Sequence, residues 1–312
     1  MRIAVFGAGA VGSYFGGRLS QAGESVAFIA RGRTLEALRA NGLRVESIAG
    51  DFEVRPAEAT DNPAEAGAAD FVLLGVKSWQ VPAAAAAMGP LIGPETAVLP
   101  LLNGVEAYDQ LAAVVGPEHV LGGLCRILAI QSEPGVVRHT AIEPALQFGE
   151  WDGRLSERVA RLKNVLDLCT GVKPLIPQSI KTAIWEKFLF IAPFGGVGAV
   201  TRAPAGVLRA LPETRALLEG MMREILELAS ARGVAMRADV VQRTMAGIDA
   251  LPADGTASMQ RDMIEGKPSE LEAQLGAVVR LARDAGIVLP LHALVYGCLL
   301  PAEKRARGEL AF

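Results

Sequence analysis

Cysteine is scarce. The 312 residues hold only Cys125, Cys169 and Cys298, an odd number at wide spacing. Such a set builds neither a disulfide framework nor a thiolate metal centre, and it suits a reducing compartment, here the cytoplasm. Histidine is equally sparse. His119, His139 and His292 are scattered, which argues against a structural zinc site, so no metal is expected. No charge of one sign dominates. The formal net charge of −3 offers no electrostatic footing for nucleic acid or an anionic membrane. Long unbroken hydrophobic runs are missing as well. The run 188–200 spans 13 residues and holds a proline and several glycines, too short and too broken for a bilayer. The opening MRIAVFGAGAVGSYFGG has one arginine and an apolar run, but its glycine spacing argues against a signal peptide. There is no long-range repeat and no low-complexity tail, and the alanine run 83–87 reads as a helix interior.

What is present is ordinary globular material, 51% hydrophobic and 21% charged. At this length two domains are expected. The first half alternates short β-rich runs with helical stretches. RIAVFG (2–7), SVAFIAR (25–31), FVLLGVK (71–77) and TAVLPLLN (96–103) read as strands, and SYFGGRLSQAG (13–23) as a helix. Continuous apolar strands alternating with helices predict a doubly wound, Rossmann-like α/β domain with a parallel sheet covered on both faces. Residues 42–60 break the alternation and read as a small antiparallel insert. From Ser179 onward helical patterns dominate, at 179–191, 213–233, 238–248, 256–265 and 269–286. Two prolines in 174–178 mark the expected boundary, giving domains 1–177 and 178–312.

GAGAVG (7–12) is a G-x-G-x-x-G between a strand and a helix, comprising Gly7, Ala8, Gly9, Ala10, Val11 and Gly12. The first glycine permits the turn, the second lets a pyrophosphate approach, and the third lets helix and strand pack closely. The helix start adds N–H donors and a partial positive charge for phosphate. Arg31 follows Gly12 by nineteen positions, where an NAD enzyme usually has a carboxylate, and Arg33 stands close behind. A guanidinium suits a 2′-phosphate, so NADPH/NADP+ is the expected cofactor. Lys77 and Asn103 close two of the apolar strands, where open α/β sheets bind their ligands. Each also has a plain reading, as a strand-end lysine and an Asn-Gly turn.

Lys187 stands in AIWEKFLFIAPFGGVGAV (183–200), which is otherwise almost wholly apolar. On a helix at about 100° per residue, Ile180, Ile184, Phe188 and Ile191 form the buried stripe, and Lys187 lies at its edge. Its i±3 and i±4 neighbours are Ala183, Ile184, Phe190 and Ile191, none of them charged. Either the lysine snorkels to water or it has a partner from elsewhere and does acid chemistry. Glu270 is a candidate partner, although Ser269 and Glu272 form a capping-box pattern that would put Glu270 in a first helical turn. Ser258, twelve positions before Glu270, reads as a simple cap. Spacing alone does not join Lys187 to Glu270.

Taken together, GAGAVG (7–12), Arg31, VKSWQV (76–81), LLNGVE (101–106), WEKF (185–188), SMQRDM (258–263) and GKPSELE (266–272) resemble the ketopantoate reductase (2-dehydropantoate 2-reductase) family over nearly the whole chain. The resemblance implies an N-terminal Rossmann domain and an all-α C-terminal domain like that of 6-phosphogluconate dehydrogenase. It implies an NADPH site in the cleft between them. By the same resemblance Lys187 matches the general acid and Glu270 the active-site carboxylate. Ser258 matches a serine that holds the substrate carboxylate, and Lys77 and Asn103 match positions near nicotinamide and substrate.

The chain departs from that family at two substrate positions, where Ile191 and Gly195 stand in place of asparagines, and at Leu275 and Gly276 in place of an Asn-Gly pair. The expected activity is NADPH-dependent reduction of a small-molecule 2-oxo acid. Three readings follow: reduction of 2-dehydropantoate in pantothenate and coenzyme A biosynthesis, a paralogue acting on a less polar oxo acid or ketone, and a non-catalytic NADP(H)-binding sensor. Retention of both Lys187 and Glu270 argues against the sensor. The helical domain is the place for a homodimer interface, but the sequence establishes none.

Overall fold

The computed structural model describes residues 1–55 and 57–311. The chain separates into two compact units. One comprises Met1–Leu102 with Ala107–Ile180, and the other Asn103–Glu106 with everything from Lys181 onward. The main division falls three residues after the expected 177/178 boundary, and a four-residue strap from the first half groups with the second unit.

Among the described residues the first unit holds ten strands: β1 (Arg2–Phe6), β2 (Ser25–Ile29), β3 (Leu43–Ser47), β4 (Phe52–Val54), β5 (Glu58–Thr60), β6 (Ala69–Leu74), β7 (Ile92–Pro100), β8 (Gly122–Glu133), β9 (Val136–Gly149) and β10 (Lys173–Leu175). Its helices are α1 (Ala10–Gln21), α2 (Gly32–Asn41), α3 (Pro63–Ala66), α4 (Val81–Ala87), α5 (Ala107–Val115) and α6 (Glu157–Leu166). The main sheet runs β5-β2-β1-β6-β7, all parallel. The apolar runs are continuous because alternate residues serve two cores. Ile3, Val5, Phe71, Leu73 and Leu99 pack on one face, and Ala4, Phe6, Val72, Leu74 and Val98 on the other.

The expected antiparallel insert is only part of the story. β3 and β4 do pair antiparallel, but β5 joins the main sheet beside β2. β3 also pairs in parallel with β9, within a second sheet that includes the long β8–β9 hairpin and β10. Arg18 of α1, 2% exposed, ties this sheet in place. Its guanidinium donates to the carbonyls of Ala49 (3.2 Å) and Gly50 (2.8 Å) and lies 4.2 Å from the Phe52 ring centroid.

The second unit is helical: α7 (Ile180–Thr201), α8 (Ala205–Ala210), α9 (Pro212–Ala231), α10 (Val240–Asp249), α11 (Ser258–Ile264), a π-helical turn (Glu272–Gly276), α12 (Ala277–Asp284) and α13 (Pro290–Ala306). α7 does not stop at 191. It runs unbroken through Pro193 for 22 residues. Its glycines are points of close approach: a Cβ on Gly198 would stand 2.5 Å from the Gln260 side chain of α11, and one on Gly196 2.9 Å from Leu275. Packing of neighbours against this face outweighs the hydrogen bond lost at Pro193. The length argument made on 188–200 therefore does not apply. By length and composition α7 alone among the described residues could cross a membrane, but 67% of its apolar window is buried inside the protein, as in a core helix.

α13 starts on a borrowed cap. Glu224 of α9 accepts from Leu291 N (2.7 Å), His292 N (2.9 Å) and His292 Nδ1 (2.6 Å). The expected Ser269–Glu272 capping box is not formed. Ser269 is buried and bonds Glu303 of α13 through Oγ (2.6 Å), while Glu272 turns to Arg280 and Tyr296.

Candidate active site

In the first unit the glycine-rich turn links β1 to α1. Gly7 has φ +99°, and a Cβ there would lie 2.8 Å from Val76 Cγ1 and 2.9 Å from the Gly75 carbonyl carbon. A Cβ on Gly12 would run into the Gly7 carbonyl oxygen. Gly9 is the N-cap of α1, and the nearest atom to a Cβ there is Gly75 O at 3.9 Å, so the space above it is open. α1 begins at Ala10, three residues earlier than expected, and has no acidic residue in its first turn. Its first N–H groups have no intrahelical acceptor, and the macrodipole adds positive charge. Ala8 is buried, whereas Ala10 and Val11 are half-buried against the core. The turn sits at β1, where the strand order reverses between β2 and β6. That is the switch point at which such sheets take nucleotides. This cradle fits a dinucleotide pyrophosphate. Gly75 completes it and was not singled out in the sequence, although a glycine just after an apolar strand signals close backbone approach.

Arg31 occupies the N-cap position of α2, just past β2, and both Arg31 and Arg33 are exposed. Lys77 does not close a strand. β6 ends at Leu74, and Lys77 lies three residues on, exposed, at the start of a 3₁₀ turn, with Nζ 5.8 Å from the Trp79 ring centroid. Asn103 likewise lies three residues past the end of β7.

In the second unit Lys187 is half-buried on α7, with Ile191 half-buried one turn later and Gly195 buried a turn beyond. Glu270, 7% exposed, precedes the π-helical turn. Asn103, 167 positions away in sequence, donates from Nδ2 to Glu270 Oε2 at 3.4 Å. The fold thus brings together two residues far apart in the chain. Gly104, with φ +108°, lets the strap press on the turn, since a Cβ there would lie 3.0 Å from Ala273 O. Arg280 of α12 holds the arrangement, donating to Glu106 Oε2 (2.9 Å), Glu272 Oε2 (2.9 Å) and the Glu272 carbonyl (2.9 Å). Tyr296 OH donates to Glu272 Oε1 at 2.6 Å, and burial together with that carboxylate pushes the phenol up to about 12. The Glu106–Arg280–Glu272–Tyr296 network was not read from the sequence, because its members are far apart in the chain and Glu272 matched a capping-box pattern instead.

Ser258 is the first residue of α11 and is exposed. It is not the cap that its position suggested. The helix starts one residue too early for that, and Ala257 N donates to Gln260 Oε1 at 3.2 Å. Among the described residues no cluster of His, Cys, Asp and Glu could hold a metal ion.

The model of the family described as ketopantoate reductase PanE/ApbA matches residues 3–153, and that of its C-terminal region matches 179–303. An uncharacterized oxidoreductase, YkpB, of Bacillus subtilis is 31% identical over 96% of this chain and 98% of its own. The 2-dehydropantoate 2-reductase of Halobacterium salinarum is 33% identical over 93% of this chain and 95% of its own. The crystal structure of 2-dehydropantoate 2-reductase from Geobacter metallireducens superimposes with a TM-score of 0.90 at 32% identity, covering 97% of this chain and all of that one. With both units matched in order and a nucleotide cradle at the switch point, the chain belongs to the ketopantoate reductase family, whose members are NADP-dependent oxidoreductases acting on CH–OH groups.

Proposed function

We propose that this protein reduces a 2-oxo acid with NADPH, and that the acid is 2-dehydropantoate, giving pantoate for pantothenate and coenzyme A synthesis. The observation that carries the reading is the meeting of Asn103 with Glu270 in the unit that also carries Lys187. The relatives named 2-dehydropantoate 2-reductase support it.

NADPH, when bound, supplies the hydride for the carbonyl carbon. The glycine cradle and the start of α1 hold its pyrophosphate, Arg31 its 2′-phosphate, and Lys77 its nicotinamide half. As negative charge builds on the carbonyl oxygen, Lys187 Nζ donates a hydrogen bond and then a proton. Glu270 orients the lysine and the substrate, and Asn103, bonded to Glu270, keeps that carboxylate in place. Ser258 offers a hydroxyl to the substrate carboxylate. The three cysteines, two of them buried, form no disulfide among the described residues, which fits the cytoplasm as the place of action.

A second reading, reduction of a less polar oxo acid or ketone, is favoured by one feature. Ile191 and Gly195, one and two turns beyond Lys187, present no hydrogen-bonding side chain.

Steady-state NADPH oxidation with 2-dehydropantoate, run beside Lys187→Ala, tests the proposal. Turnover in the wild type and a fall of about 10²–10⁴ in kcat for the variant are expected. Tight NADPH binding without turnover on 2-dehydropantoate would transfer the assignment to the less polar acid.

A further inference from the structure

The Glu270 carboxylate meets Asn103 Nδ2 at 3.4 Å, the long edge of a hydrogen bond, and a contact that long does little to fix a side chain. The backbone around Glu270 is held far more firmly. Ser269 is wholly buried, and Glu303 of α13 is 1% exposed. The Glu303 carboxylate accepts from Ser269 N through both oxygens (3.1 Å each) and from Ser269 Oγ through Oε2 (2.6 Å). Arg307, at the C-cap of α13, donates from Nε to Glu303 Oε1 (2.7 Å) and from Nη2 to the Ser269 carbonyl (2.9 Å). Ser269 Oγ also accepts from Leu271 N at 3.2 Å, which closes a loop around Glu270. On the far side Gln274 N donates to Glu270 O and Gly276 N to Leu271 O, each at 3.0 Å, and these bonds open the π-helical turn. The N–H, carbonyl and hydroxyl of the residue before Glu270 are thus all tied to the end of α13.

We propose that Glu303 and Arg307 are positioning residues for the reaction: through Ser269 they fix the backbone on which Glu270 stands, and so the aim of its carboxylate. This rests on the role given to Glu270 in the function proposed above. Burying a carboxylate is costly, and its attraction to a neighbouring cation offsets that cost only in part, so apolar residues of similar volume often serve stability as well. What apolar residues cannot supply is direction. A carboxylate only accepts, and Ser269 N, Ser269 Oγ and Arg307 Nε all donate to it, so this one side chain fits the cluster in a single arrangement. Arg307 reaches past it to the Ser269 carbonyl, which fixes the peptide plane that leads into Glu270. With that plane set, Glu270 has only its own side-chain torsions left to adjust when substrate arrives. A group held ready in this way loses less rate to misplacement than one on a loose segment.

The test is a double-mutant cycle on NADPH-dependent reduction of 2-dehydropantoate. Ser269→Ala removes the hydroxyl and leaves Glu303 its bonds to Ser269 N and Arg307. It is expected to lower kcat about 10–100-fold with a smaller change in KM. The same change is then made in a Glu270→Gln background, where rates are read as single turnovers at high enzyme concentration. There it is expected to cost no more than about twofold, because no carboxylate is left to aim. Amide exchange over residues 268–273 should quicken about 10-fold in Ser269→Ala, a readout that needs no turnover. Equal losses of rate with and without the Glu270 carboxylate overturn the proposal and leave the cluster a structural lock. Faster exchange with kcat intact overturns it too. Should Ser269→Ala not fold, Arg307→Gln decides by the same cycle, since that side chain is 20% exposed and lies at the rim of the cluster. Loss of folding in both variants makes the cluster a stability element and also overturns the proposal. If the wild type reduces no 2-oxo acid, the proposed function falls and this role of Glu303 and Arg307 with it. Turnover in the wild type with additive losses around the cycle removes this inference alone.

Discussion

Arg31 stands at the N-cap of α2 with Arg33 two residues on, and both side chains are exposed. An exposed arginine contributes little to folding, so its effect should be read almost wholly in cofactor choice. Arg31→Ala is expected to weaken NADPH binding about 10–100-fold with little change for NADH, because only the 2′-phosphate offers a bidentate acceptor. Fluorescence titration with the two nucleotides measures this, and equal losses for both would remove Arg31 from the 2′-phosphate. At this same scale the sequence was informative. Lys187 is conspicuous because its helical neighbours carry no charge, and Arg31 because no carboxylate competes with it. Gln274, only 2% exposed in the π-helical turn, was not conspicuous. Burial is what makes a glutamine informative, and burial is a property of the fold.

Elements carry the next set of effects. The Glu224 carboxylate caps α13 and faces the buried His292, with no other charged group of the described residues in the hydrogen-bonded cluster. Burial drives the His292 imidazole below its ordinary 6.5, opposed in part by Glu224, and its Nε2 has no partner among the described residues. Burial works to raise the Glu224 carboxyl, but hydrogen bonds from His292 and Leu291 outweigh it and hold the group below its ordinary 4.5. For His292 the unfolded chain takes up a proton near pH 6.5 while the folded imidazole resists. Stability is thus lost as pH falls below about 6.5. Glu224 adds stability above about pH 4.5 that is lost as pH falls through its lowered folded value. Urea unfolding between about pH 7 and 5 should show stability falling with pH. His292→Asn, which keeps a donor for Glu224 but does not titrate, should flatten that slope. An unchanged slope would place the acid sensitivity elsewhere.

Elements also show why the pattern reading stopped short. Four of the five main strands were legible from their apolar runs, but β5 is only three residues long and was lost in the insert. α7 was cut at 191 because proline and glycine normally end helices. Here Gly195, Gly196 and Gly198 are where α11 and the π-helical turn come close, a reason that lies in partners distant in sequence.

On the scale of the whole molecule, the strap Asn103–Glu106 belongs by contact to the second unit, though it follows a strand of the first. Arg280 pins it through Glu106 while also holding Glu272. Arg280 is a positioning residue here, acting through the strap on Asn103. Arg280→Met is expected to lower kcat about 10-fold or more with a smaller change in KM, since slight misplacement at a reacting centre is costly. Its thermal stability should change little, because the ion pairs are partly exposed. A large loss of melting temperature with kcat intact would make Arg280 structural instead.

By itself the sequence determined the class of each half. Apolar runs covered on both faces require a parallel sheet, 3.6-residue periodicity requires helices, and a glycine turn between strand and helix requires a nucleotide cradle. These are local regularities, and a linear chain displays them directly. Only the tertiary structure decided that Asn103 meets Glu270, that Arg280 ties the strap to the π-helical turn, and that Gln274 is buried beside Gly195. Each of these joins residues far apart in the chain or depends on exclusion of water. Neither long-range proximity nor desolvation leaves a periodic trace in the sequence.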